Sequence, residues 1–116
     1  MEKDKIIEVL KHLVQLLLAE DYERIYEDDI EKRLTVEMIK EGIDEYAEDF
    51  GGPLSEPDED AYENARSMFP ILNGTKMVVN FDLWFDGEES DLTLSLELVK
   101  NAEGKYEFAI TNLYIM

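Results

Sequence analysis

The stretch FDLWFDGEESDLTLSLELV, residues 81–99, decides the fold. In its second half Leu92, Leu94, Leu96 and Leu98 alternate with smaller or polar residues, the period of a strand with one buried face. In its first half Phe81, Leu83 and Phe85 share a face, and Trp84, the only tryptophan, stands on the other. The intervening DGEES is a turn, so the two halves predict an antiparallel hairpin.

Working outward, Asn73-Gly74 separates two further apolar runs. Both residues accept positive φ, which makes a second hairpin. Pro70 lacks the N–H a ladder needs, so the first of these strands is expected at an edge. NAEG at 101–104 turns the chain into a last strand carrying Tyr106, Phe108 and Ile110 on the core face; strict alternation leaves Leu113 and Ile115 with the other parity. Four antiparallel strands in sequence form a meander.

Before residue 67 the period is helical. Ile6, Leu10, Leu13, Val14 and Leu17 recur at three- and four-residue spacing, predicting a helix from about Lys3 to Ala19. Asp21 caps a short second helix with Tyr22, Ile25 and Tyr26 inward, and EDDIEKR follows as a polar connection. Thr35 caps a third helix from Val36 to Asp49, stopped by Gly51, Gly52 and Pro53. GGPLSEPDED reads as a loop, with a helical turn through Ala61 to Arg66 after it. The expected architecture is a single α+β domain over residues 1–116. Its helical half (about 1–66) packs on one face of the sheet half (about 67–116), an order that is cystatin-like.

The charge is the strongest compositional feature: 29 Asp plus Glu against 11 Lys plus Arg, a formal net charge of -18. Such a surface repels nucleic-acid phosphates and anionic membranes and attracts basic proteins. The N-terminus carries no secretory signal and no apolar run crosses a bilayer, so a cytoplasmic protein without membrane contact is expected. With no cysteine and one histidine, His12, neither thiolate metal sites nor nucleophilic triads are supported. No phosphate-binding glycine motif occurs, and the loops SEPDED and DGEESD lack calcium-loop spacing. No catalytic residue, metal or cofactor is expected, and the chain reads as a binding protein rather than an enzyme.

The third helix splits into two faces. Val36, Ile39, Ile43, Tyr46, Ala47 and Phe50 point to the core, while Glu37, Glu41, Asp44, Glu45, Glu48 and Asp49 form a carboxylate ridge. The expected partner-binding residues are Glu41, Glu45, Glu48, Asp49, Asp58, Glu59 and Asp60 for electrostatic steering, with Trp84 and Tyr62 as aromatic anchors.

Asp82-Leu83-Trp84, the acidic turn, Ser90-Asp91-Leu92-Thr93-Leu94 and the closing hairpin together resemble a small bacterial family known as a domain of unknown function. That resemblance covers about a third of the chain and implies a fold and a bacterial source, without an activity. Helices followed by a four-stranded meander also resemble cystatin-like folds, including cone-shaped ligand-binding types, although no hairpin is inserted between the helices here. In acidity and size the chain is similar to toxin-immunity proteins, without the all-helical layout and paired tyrosines of the colicin type. The function expected is an immunity-type inhibitor that captures and occludes a basic protein such as a nuclease toxin. The alternatives are a small-molecule-binding domain with a pocket between sheet and helices, and a nucleic-acid mimic.

Overall fold

The computed structural model describes residues 1–115. Three helices come first: α1 (Lys3–Leu18), α2 (Tyr22–Asp28) and α3 (Val36–Phe50). The Asp21 carboxylate accepts the Arg24 N–H and the Thr35 hydroxyl accepts the Met38 N–H, each meeting one of the donors a helix start leaves free. Gly51, at φ 91°, ends α3 in the left-handed conformation. Gly52 then lies so close to the next turn that a Cβ there would stand 2.4 Å from the Asp86 Cβ.

Five strands follow: β1 (Leu54–Ser55), β2 (Ser67–Ile71), β3 (Lys76–Phe85), β4 (Glu88–Lys100) and β5 (Tyr106–Ile115). β2 to β5 form the expected antiparallel meander, with β2 at an edge. β1 is an addition, since the segment expected as loop pairs Leu54 with Phe85 and Ser55 with Trp84. β1 and β2 therefore share one side of β3. Between them, a 3-10 turn at Glu59–Tyr62 replaces the helical turn expected at 61–66. The β2–β3 loop is Leu72–Thr75, with positive φ at Leu72 as well as at Asn73 and Gly74.

Register explains the core. Phe81 pairs with Leu94, Val79 with Leu96 and Leu98 with Phe108, stacking apolar side chains on one face against Ile6, Leu10, Leu13, Ile25, Ile39 and Ile43 of the helices. All of these are buried. Tyr46 and Phe50 of α3 close the far end over Phe85, with the Tyr46 ring 4.8 Å from it.

Two irregularities change the parity read from the sequence. Between Ser95 and Leu96 the β4–β5 register slips, leaving Thr111 as an extra residue in β5. A bulge of this kind turns the following side chains over. Leu113 thus returns to the inner face, pairs with Leu94 and packs against the core, with its Cδ2 at the space left by Gly42 of α3. The second slip lies between Asp82 and Trp84, where the Ser90 hydroxyl donates to the Leu83 carbonyl at 2.6 Å.

The segment EDDIEKR is also more than a connection. Its first two residues complete α2, and Asp29 is only 2% exposed. The Asp29 carboxylate accepts the N–H groups of Glu31, Lys32 and Ile110, while the Ile30 N–H donates to the Phe108 carbonyl. The loop caps the outer edge of β5 at the Phe108 carbonyl and the Ile110 N–H. No helix of the described residues is long and apolar enough to cross a membrane.

Candidate functional site

The helical period places Ile39 and Ile43 in the core, and the same rotation turns Glu37, Glu41, Asp44, Glu45, Glu48 and Asp49 outward, all exposed. Lys40 pairs with Asp44 at 2.6 Å. Among the described residues no ion pair involves Glu41, Glu45, Glu48 or Asp49. The cations are used elsewhere: Lys11 on Glu59, Arg24 on Asp28, Arg33 on Glu31, Arg66 on Asp82 and Lys76 on Glu97. The ridge keeps its charge because its neighbours on the helix are acids.

Asp58, Glu59 and Asp60 are exposed as well, but they hang from a different support. The Lys11–Glu59 pair and a 2.9 Å bond from Gln15 to Glu56 tie this loop to α1. The loop is held in place by Tyr62, and here the expectation of an aromatic anchor is corrected. Tyr62 is 2% exposed and stacks on Phe81 with centroids 5.4 Å apart, filling the gap between β1 and β2. Lys11 lies 5.4 Å over the same ring. Burial, with smaller contributions from Glu56 and Glu59, pushes the Tyr62 phenol up to about 12. An aromatic in that position supports the fold and is closed to a partner.

Trp84 stands on the outer face, paired with Glu89 and flanked by Ser55. It is half-buried, because Ala61, Asn64, Ala65 and Arg66 come up beside it. α3 lies over the inner face, so the sheet stands between Trp84 and the carboxylate ridge. The structure does not bring these two expected parts of one site together.

The outer face carries an ordered polar array. Arg66 grips Asp82 with three contacts of 2.8–3.1 Å, and the Thr93 hydroxyl donates to the same carboxylate at 2.7 Å. Asp82 is 6% exposed. Burial opposes its ionisation, but the hydrogen bonds from Arg66 and Thr93 and the guanidinium charge outweigh it and hold the carboxyl below its ordinary range. Glu89 moves the other way: partial desolvation and then the neighbouring Asp82 carboxylate push it up. Asn80 bridges Ser67 and Ser95 beside this cluster. These groups satisfy one another, which makes them a structural lattice.

A family model for a domain of unknown function, DUF7668, matches residues 14–116. The chain belongs to the DUF7668 family. No curated protein and no solved structure matches it.

In this DUF7668 domain an open groove with a volume of about 440 Å³ runs between α1, α2 and the start of β5. Glu8, His12, Arg24, Asp28, Lys105 and Glu107 line it. Arg24 is bound to Asp28 at 2.9 Å, and His12 lies 4.0 Å from the same carboxylate, so the Asp28 carboxylate is already engaged by Arg24. Among the described residues no cluster of three potential ligands is placed to hold a metal ion.

Three structural residues of the DUF7668 chain escaped sequence reasoning: Asp29, Thr111 and Arg66. The usable signal for Asp29 was local, since an aspartate readily accepts the N–H groups two and three residues on. Nothing local marks Thr111 or the Arg66–Asp82 pair, which depend on register.

Proposed function

We propose that this domain is an acidic binding protein that captures a basic protein partner through the α3 ridge. The most concrete form of this reading is an immunity-type inhibitor that occludes a toxin such as a nuclease in the cytoplasm. The observation that carries it is the unpaired state of Glu41, Glu45, Glu48 and Asp49 on one side of a well-anchored helix. Like charges at i,i+4 cost a helix tenths of a kcal/mol. The same charges on a rigid element steer a basic partner and raise its association rate, towards about 10⁸–10⁹ M⁻¹s⁻¹ at low salt. Their sign disfavours direct binding to nucleic acid or to anionic lipid.

The test is capture of binding proteins at low salt followed by kinetics on the purified pair. A basic partner is expected whose association slows at least tenfold with Glu45→Lys plus Glu48→Lys, with the difference shrinking as salt rises. For the toxin form, the domain abolishes the partner's catalytic activity at equimolar ratio. Association indifferent to both charge reversal and salt overturns the reading.

A further inference from the structure

The two edges of the sheet differ in what they leave open. On β2 the outer edge lacks a donor at Pro70. On β5 the outer edge is covered only as far as Phe108 and Ile110, which bond to Ile30 and Asp29. Beyond the Thr111 bulge the ladder alternation turns the backbone groups of Leu113 and Ile115 outward. There the Leu113 N–H is met by the side-chain oxygen of its own neighbour, Asn112, at 2.9 Å. Among the described residues β5 has no strand partner other than β4.

Beside this open edge runs a groove of about 320 Å³ between β5 and α3. Leu92, Leu113 and Ile115 give it an apolar floor, and Ile115 is 63% exposed. Gly42 lets the helix backbone come close, and Glu45 and Asp49 stand along the helical wall.

We propose that the Asn112–Ile115 edge and this groove take an extended basic segment of the partner as an added strand. The proposal rests on the reading above that the partner is basic. An incoming strand finds the Ile115 N–H and the Leu113 and Ile115 carbonyls along the edge and takes the Leu113 N–H from the Asn112 side chain, and every second side chain of it points over the groove. Arginine or lysine fits there best: its aliphatic stem lies on Leu113 and Ile115, and its charge reaches Glu45 and Asp49. Charge also argues against a second copy of this chain in the same place, because each copy brings a formal charge of -18.

The probe is a blocked heptapeptide alternating arginine with valine, titrated into labelled protein at low salt and followed by amide chemical shifts. Shifts and slowed hydrogen exchange are expected at Leu113 and Ile115. Replacing the valines of the peptide by proline should weaken binding at least tenfold by removing its backbone donors. Glu45→Gln with Asp49→Asn should weaken it at least fivefold without disturbing the fold. Equal affinity for the proline peptide, with shifts confined to the solvent side of α3, overturns strand addition and leaves the basic-partner reading standing. Absence of binding by either peptide overturns strand addition, whereas failure of the basic-partner reading shows only in the whole-protein kinetics. Concentration-dependent dimers abolished by Ile115→Lys overturn the proposal in favour of self-pairing.

Discussion

Asp29 Oδ2 accepts the N–H of Ile110 at 3.0 Å, joining positions 81 residues apart, while Oδ1 accepts the N–H groups of Glu31 and Lys32 at 2.9 and 3.0 Å. One buried carboxylate thus shapes the loop before α3 and caps the Ile110 N–H on the edge of β5. A buried donor left without a partner costs about 1–3 kcal/mol. Asp29→Ala is therefore expected to lower stability by at least that much in urea unfolding, and Asp29→Asn to recover part of it through its amide oxygen. Unchanged stability in both variants would remove the edge-capping role.

Leu94 lies at the centre of the buried face, opposite both Phe81 and Leu113. Leu94→Ala should cost about 2–5 kcal/mol, the range for a leucine truncated inside a packed core. Leu113→Asp is the sharper variant, because simple alternation puts residue 113 on the outer face. Marked destabilisation, read by thermal melting, is expected from the inward position that the Thr111 bulge imposes.

Glu89 and Asp82 titrate in opposite directions, and each has a sign. The Glu89 pKa is raised above its ordinary 4.5, so the folded state is favoured with Glu89 protonated and loses that advantage as pH rises through the folded value. Glu89→Gln should therefore be more stable than the parent at pH 7, with the gap closing below pH 4.5. Asp82 is depressed, so its contribution is fully present above its ordinary 3.8 and is lost as pH falls through the folded value. Melting curves between pH 3 and pH 7 check both; a Glu89→Gln gap that persists in acid contradicts the first.

Trp84 reports from the far side of the sheet. Being half-buried, its indole should be partly quenched by acrylamide in the free protein. Binding of a basic partner at α3 should leave that quenching unchanged, because the sheet separates the two surfaces. Protection of the indole on binding would place the interface on the outer face.

Salt bears on the whole surface. With most basic side chains already paired and an excess of exposed acids, added sodium chloride should raise the melting temperature by screening repulsion. A steady fall with salt would show that the attractive pairs dominate.

The three helices, strands β2 to β5 and the two-faced character of α3 were legible in residues 1–116 because each depends on a local period, whereas the two-residue β1 is too short to show one. Ile6 to Leu17 and Leu92 to Leu98 declare their buried faces within a dozen residues, and Asp21, Thr35 and Gly51 mark helix ends by their own chemistry. The charge of the ridge is likewise composition plus helical geometry. Long-range fit decided the rest. Tyr62 is no more apolar than Tyr106, and only the gap that β1 and β2 leave over Phe81 makes it core. Leu113 faces inward because one unpaired residue in the ladder reverses parity, a slip that side-chain alternation cannot announce. Asp29 sits in a run of charges that looks solvated, and its burial follows from a strand edge 81 positions away. Periodicity fixes which face of an element is apolar; which surfaces meet, and which backbone groups are left over at an edge, is settled when the elements pack and buried backbone donors take up acceptors.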